Sequence, residues 1–275
     1  TLHRNLGVFT VRDIPLSRLF CQWQGKDSGF TKGRDRSFHF GTLEYGIVGM
    51  ISHLGPQLSL AGGVALAHKL SGEGRVSVAF SGEGGTSEGE FHEALNTAAV
   101  WQLPVIFVVE NNGYGLSTPT SEQYRCENIA DRAIGYGMRS CIIDGNNILE
   151  VYNTVSQLAA ELREHPEPVL LECRTFRMRG HEEASGTKYV PKELMDHWAL
   201  KDPVANYEQF LAAENVLSET EVKAIRKRFK DHIEAELKIA YAEGDVTSTE
   251  AEELADVYAP WEQQVTQPSG PAEDK

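Results

Sequence analysis

Four short apolar runs, separated by stretches of helical character, constrain the fold of this chain more than any other feature. They are Arg75–Phe80, Pro104–Glu110 with VIFVV at its centre, Met138–Ile143 and Val169–Arg174. A strand with one face in water alternates apolar and polar residues. A run that stays apolar needs cover on both faces, as in a parallel sheet with helices above and below it. Helices are predicted between the runs. One spans Pro56–Leu70, where Leu58, Ala61, Ala65 and Leu66 recur near helical spacing and Pro56 takes the first turn. A second spans Glu88–Gln102, opened by a capping box with Ser87 as N-cap and Glu90 at N3. A third spans Ile148–Arg163. The expected class is α/β, a mostly parallel sheet covered by helices on both faces, with a helical C-terminal part.

That C-terminal part begins after Pro191, with helices expected over Lys192–Leu200, Val204–Glu214 and Glu219–Ala242. The last interleaves acidic and basic residues and reads as a solvated face. From Glu243 the chain turns acidic, and Pro260–Lys275 has the composition of a linker or disordered tail. The expected division is an α/β domain over 1–203, a helical extension over 204–244 and an acidic tail or linker over 245–275. A net charge of −14 argues against a nucleic-acid partner. No apolar run approaches the ~20 residues of a membrane span, and Thr1–Thr10 has no signal-peptide core. The chain starts without Met, inside what reads as a domain, so further residues are expected upstream. Cys21, Cys126, Cys141 and Cys173 show no CxxC spacing and read as reduced core thiols of a cytosol-like compartment.

Ligands of open parallel sheets bind beyond the carboxyl ends of the strands. The first strand is followed by Ser81-Gly82-Glu83-Gly84-Gly85-Thr86-Ser87 and the second by Glu110-Asn111-Asn112-Gly113-Tyr114. The third runs into Asp144-Gly145-Asn146, and the fourth into a loop with Arg177, Arg179 and His181. Successive parallel strands are commonly neighbours, which would set Glu83 beside Asn112. A carboxylate with an amide oxygen is a hard-oxygen pair, suited to magnesium completed by phosphate oxygens. The glycines around Glu83 let backbone approach a diphosphate, and the following helix N-terminus adds free N–H groups.

The pattern Gly-acid-Gly, then about thirty residues, then Asn-Asn resembles the thiamine diphosphate signature. The stretch GEGGTSEGEFHEALNTAAVWQLPVIFVVENNGYGLSTPTSEQYR resembles the alpha subunits of 2-oxoacid dehydrogenase complexes, and the likeness covers roughly Leu6 to Pro203. STPTSEQYR and Glu83 itself, where pyruvate-specific members usually carry Asp, look most like the branched-chain members. The resemblance implies a thiamine diphosphate-binding fold, its diphosphate-binding domain, and oxidative decarboxylation of a 2-oxoacid, with the acyl group passed to a lipoyl-bearing acyltransferase. It implies magnesium held by the side chains of Glu83 and Asn112 and the carbonyl of Tyr114. Arg12, Ser52, Leu54, Gly82, Gly84, Gly85, Gly115 and Leu116 join these as cofactor contacts, Leu54 as an apolar support for the bent cofactor. His181, in FRMRGHEEASG, corresponds to the family's active-site histidine. Val11 stands where relatives often have Tyr, so one diphosphate hydrogen bond is expected to be missing. Glu182 stands where relatives often carry a phosphorylated Ser, so that control is not expected here. The Glu that contacts the aminopyrimidine belongs to a beta subunit or beta domain, and this sequence offers no candidate for it. The implied compartment is the cytoplasm, or the mitochondrial matrix of a eukaryote.

Other readings stand beside these. A pyruvate or acetoin dehydrogenase alpha subunit, or a non-catalytic subunit that keeps the fold, would share most of the pattern. Gly82-Glu83-Gly84 alone is an ordinary strand-to-helix turn. It is not the dinucleotide fingerprint, because Ser87 takes the third glycine position. His92-Glu93 is not a zinc-protease helix, because Asn96 stands where the second His must be, and His92 reads as a surface or packing residue. Arg177 and Arg179 are either loop charges or diphosphate-side contacts. His39 is either core or near the site, and His53 has no account. Asp144 is read as the N-cap of the next helix.

Overall fold

A computed structural model describes residues 7–35, 39–49 and 53–259, and for Glu183 the backbone alone. Its main sheet has four parallel strands: β1 (Ser77–Gly82), β2 (Val105–Asn111), β5 (Arg139–Asp144) and β6 (Pro168–Arg174). They lie in the order β1-β2-β6-β5. A small antiparallel hairpin, β3 (Tyr114–Gly115) and β4 (Thr118–Pro119), follows β2. The helices are α1 (Gly7–Val11), α2 (Leu16–Gln24), α3 (Pro56–Ser71), α4 (Gly89–Trp101), α5 (Ile148–Glu164), α6 (Lys192–Ala199), α7 (Pro203–Ala213), α8 (Glu219–Ala242) and α9 (Glu250–Ala255).

The four apolar runs are the four strands, each within two residues of its expected start. Every residue of β2 from Val105 to Val109 is buried, as a central strand with two covered faces requires. Phe107, Val109 and Leu170 point to one face, where they pack with Leu58 and Ala65 of α3, Phe91 and Leu95 of α4, and Ile129. Ile106, Val108, Val169 and Leu171 point to the other and meet Leu158 and Leu162 of α5. The α/β class with helices on both faces is therefore correct. At the β1 edge the α5 side is less complete, and Val78 stays 43% exposed. A third cluster, Phe9, Ile14, Leu19, Phe40 and Ile47, lies outside the sheet layers.

Truncating a buried aromatic in a central strand removes its transfer energy and leaves a cavity. Phe107 is 1% exposed, so Phe107→Ala should cost about 3–5 kcal/mol. Denaturant unfolding measures it, and a loss below ~1 kcal/mol would contradict this packing.

Three local expectations need correction. Ser87 does not cap α4. Residues Gly84–Ser87 form a 3-10 turn, the N-cap is Glu88 in extended conformation, and no side chain caps it. Glu88 instead accepts the Gly55 N–H at 2.8 Å, tying the start of α3 to that of α4. Asp144 does not cap α5 either. Asn147 does, accepting from Glu150 N, while Asp144 folds onto the N–H of Asn146 at 2.9 Å. In the C-terminal part, α8 is exposed along most of its length, as its charge pattern suggested, and the correction concerns its docking and the stretch that follows. α8 packs against α2, with Ala240 fully buried and Glu236 accepting the Ser17 N–H at 2.8 Å. Within the stretch read as an acidic tail, α9 opens on a true capping box of Thr249 and Glu252. Its Glu253 and Asp256 pair with Arg34, and Asp256 also with Lys32. Pro260–Lys275 lies outside the described residues. Among the described residues no helix is long and apolar enough to cross a membrane.

Candidate functional site

The parallel pairing of β1 with β2, Gly82 opposite Glu110, brings the two turns after these strands together. Glu83 leaves the end of β1 and is 1% exposed. Its Oε2 accepts two hydrogen bonds from Asn112, from the backbone N–H at 2.9 Å and from Nδ2 at 2.8 Å. Thr86 braces the turn from the other side, its hydroxyl donating to the Glu83 carbonyl at 2.7 Å. Burial pushes the Glu83 carboxyl above the ordinary carboxylate range, against the Asn112 N–H and the charge of Arg177, which pull it down. Burial also raises the nearby Glu110, and the Glu83 charge adds to that.

With Nδ2 committed to Glu83, the Asn112 carbonyl oxygen faces the other way. It is buried and has no hydrogen-bond partner among the described residues. A buried polar atom without a partner calls for an explanation, and a bound ion is one of the standard ones. The surroundings fit a cation: an orphaned oxygen beside a carboxylate that burial destabilises in its charged form. Among the described residues no three His, Cys, Asp or Glu side chains converge as a metal cage. The donor set therefore suits a hard cation that draws further oxygens from a bound ligand, as magnesium does with phosphates.

The glycines make the floor of this site. A Cβ on Gly84 would lie 3.2 Å from the Gly115 Cα, so the turn after β1 rests on the β3–β4 hairpin. A Cβ on Gly85 would meet the Ser81 hydroxyl at 2.6 Å and the Leu54 side chain at 3.3 Å. Leu116, at the hairpin tip, is 60% exposed and adopts φ +57, a left-handed conformation that a leucine seldom takes. Its carbonyl accepts from Arg177, whose guanidinium also donates to the Tyr189 hydroxyl at 2.9 Å and lies 3.4 Å from Nδ1 of His181. Tyr114 sets its ring edge-on to Tyr189 and Phe176.

The structure thus brings Leu54, Gly84, Gly85, Glu83, Asn112, Gly115 and Leu116 close together, with Gly82 at the strand end, and ties His181 to them through Arg177. Of the two arginines left open, Arg177 is built into this arrangement, while Arg179 is exposed. Arg12 is held on a separate turn, its Nε donating to the Tyr45 carbonyl at 2.7 Å. Ser52 lies outside the described residues. His39 pairs with Asp35 at 3.4 Å, His53 is exposed, and His92 bonds to the Tyr136 hydroxyl, a packing role. Sequence reasoning missed Glu172, which is 1% exposed inside β6. The signal was present, since a charge in the middle of an apolar strand is rarely there without a partner.

The sequence profile described as "Dehydrogenase E1 component" matches residues 1–248. The chain is 36% identical over 261 residues to the alpha subunit of acetoin:2,6-dichlorophenolindophenol oxidoreductase of Bacillus subtilis (strain 168), covering 94% of this chain and 77% of that one. It is 36% identical over 234 residues to the mitochondrial 2-oxoisovalerate dehydrogenase subunit alpha of Pan troglodytes, covering 84% of this chain and 52% of that one. It is 36% identical over 239 residues to 3-methyl-2-oxobutanoate dehydrogenase subunit alpha of Mycobacterium tuberculosis (strain ATCC 25618 / H37Rv), covering 86% and 62%. The chain thus spans only about half the length of the mitochondrial relative.

Proposed function

Because this chain belongs to the dehydrogenase E1 component family, we propose that it is the alpha-type part of a thiamine diphosphate-dependent 2-oxoacid dehydrogenase, with a branched-chain 2-oxoacid as the favoured substrate. The single observation that carries this reading is the Glu83–Asn112 pair with its orphaned oxygen, set at the ends of two adjacent parallel strands. In the proposal, Glu83 and Asn112 hold magnesium through their side chains and Tyr114 through its carbonyl. Gly82, Gly84 and Gly85 admit the diphosphate, with Arg12 and Ser52 as further contacts. Leu54, Gly115 and Leu116 line the thiamine side. Bound thiamine diphosphate supplies the electron sink that decarboxylation needs. The partners in this reading are a beta subunit or beta domain and a lipoyl-bearing acyltransferase. The compartment is a bacterial cytoplasm or a mitochondrial matrix, in keeping with the bacterial and mitochondrial names among the relatives.

The chain's own part is to anchor, to exclude water and to handle one proton. His181, whose ordinary pKa lies near working pH, is the group for the proton. Arg177, 3.4 Å from its Nδ1, fixes the ring's place.

The acetoin-related likeness keeps a second substrate class in view, since that relative is matched over 94% of this chain. The test is titration with thiamine diphosphate and magnesium in the presence of a beta-type partner, followed by turnover on a panel of branched-chain 2-oxoacids, pyruvate and acetoin. Binding with preferred turnover of the branched-chain acids supports the proposal, and absence of binding sinks it. In the same assay His181→Ala should bind the cofactor nearly as the parent does and lose about 100-fold or more in kcat. Unchanged kcat would take His181 out of the reaction.

A further inference from the structure

Asn112 can present its oxygen to a cation only if the turn that carries it is held in one orientation, and a second buried carboxylate holds it. Glu172 lies opposite Val109 in the β2–β6 register and so diagonal to Asn111. Its Oε1 accepts Asn111 Nδ2 at 2.8 Å, and its Oε2 accepts the Ala130 N–H at 2.9 Å. The Asn111 oxygen in turn accepts the Gly113 N–H at 3.2 Å. This fixes the Asn111 amide, because flipping it would set oxygen against carboxylate and NH₂ against N–H. Asn112 sits between Asn111 and Gly113, both ends of which are now pinned. It has its donors on Glu83 and its oxygen turned away.

The 3-10 segment Ile129–Tyr136 closes the circuit. Ala130 at its start binds Glu172, and Arg132 donates to the Thr86 carbonyl at 2.6 Å, the same Thr86 that braces Glu83. Both members of the Glu83–Asn112 pair are thus referenced to one element.

Resting on the magnesium and diphosphate reading above, we propose that Glu172 is a positioning residue that aims the Asn112 oxygen at the cation. Two donors converge on it, so only a group that accepts on both atoms serves. An amide would place its own N–H₂ against one of them. This role differs from support of the sheet, because it predicts a metal phenotype in a protein that is still folded.

The experiment measures magnesium affinity by calorimetry, at saturating thiamine diphosphate and with a beta-type partner present, well below the melting temperature. Glu172→Gln should weaken magnesium about 10–100-fold, the usual effect of losing a residue that orients a metal ligand. The paired change N111D/E172Q reverses donor and acceptor across the 2.8 Å contact and keeps the net charge, so it should recover most of that loss. If E172Q lowers the melting temperature while magnesium affinity stays at the parent value, the positioning role is wrong and Glu172 serves the fold alone. If E172Q does not fold, Asn111→Ala cuts the same contact from the other side. Weakened affinity there supports the proposal, and parent affinity overturns it. If the parent itself takes up no magnesium with the cofactor, the functional reading fails and this inference falls with it. Normal uptake by parent and variants alike overturns this inference only.

Discussion

Glu83→Ala should abolish magnesium-dependent binding of thiamine diphosphate while leaving the fold close to the parent. The carboxylate is 1% exposed, and its Oε2 is the acceptor for both Asn112 donors. Removing it deletes one proposed metal ligand and frees the other, since Asn112 then has nothing to hold its Nδ2. The effect on binding should therefore exceed that of losing a single contact. Stability should move less, because a buried carboxylate pushed above its ordinary pKa carries its own desolvation cost, which the Ala variant no longer has. Calorimetric titration with cofactor and magnesium reads the binding, and circular dichroism reads the fold. Cofactor binding at the parent's affinity by a folded Ala variant would end the assignment of Glu83 as a metal ligand.

The second large effect concerns the chain on its own. The 275-residue protein should show no turnover of 2-oxo-3-methylbutanoate with an artificial electron acceptor, and should gain it when a beta-type partner is added. In the proposed reading, the groups gathered at the candidate site serve the diphosphate, the metal and one proton. A carboxylate for the aminopyrimidine is not among the residues joined there. The outer faces of α3 and α4 carry apolar side chains in the open, including Leu70 at 79% and Val100 at 69% exposure, with Leu60 and Trp101 also exposed. Such side chains suit a partner's surface. A cofactor held from both sides of an interface stabilises only the assembled state, so its affinity should rise steeply when the partner is present. Full turnover by this chain alone would overturn the half-site idea and turn the search for the missing base back to residues 1–275.

Much of this was legible in the residues, for identifiable reasons. The strands were readable because β2 and β6 are covered on both faces and so are apolar almost throughout. The Glu83–Asn112 meeting followed from chain adjacency of two parallel strands. The helix starts were misread where a good capping residue was used otherwise. Ser87 obeys the capping-box pattern, yet the 3-10 turn over Gly84–Ser87 moves the start of α4 to Gly89. Asp144 likewise spends its carboxylate on an Asx-type turn. The seating of α8 and α9 was not legible, because their partners on α2 and on residues 26–34 lie over 200 positions away. The role proposed for Glu172 was hidden because the strand that β6 would join could not be read from its own sequence.

The strand order carries a consequence for how the chain is made. β6 is the last strand among the described residues, yet it sits inside the sheet, hydrogen-bonded to β2 on one side and β5 on the other. A nascent chain that has not yet reached Pro168 holds two separate pieces, the β1–β2 pair and a lone β5, each with an open edge, the one on β2 strongly apolar. Contacts this distant in sequence form late and slowly, and open edges invite pairing with other chains. Fragments ending before residue 168 should therefore aggregate rather than form a stable half-domain. Arrival of β6 completes the sheet and, with Glu172 upon it, also completes the scaffold of the Asn112 turn. The closed sheet and the pinned Asn112 turn are thus acquired in the same step of folding.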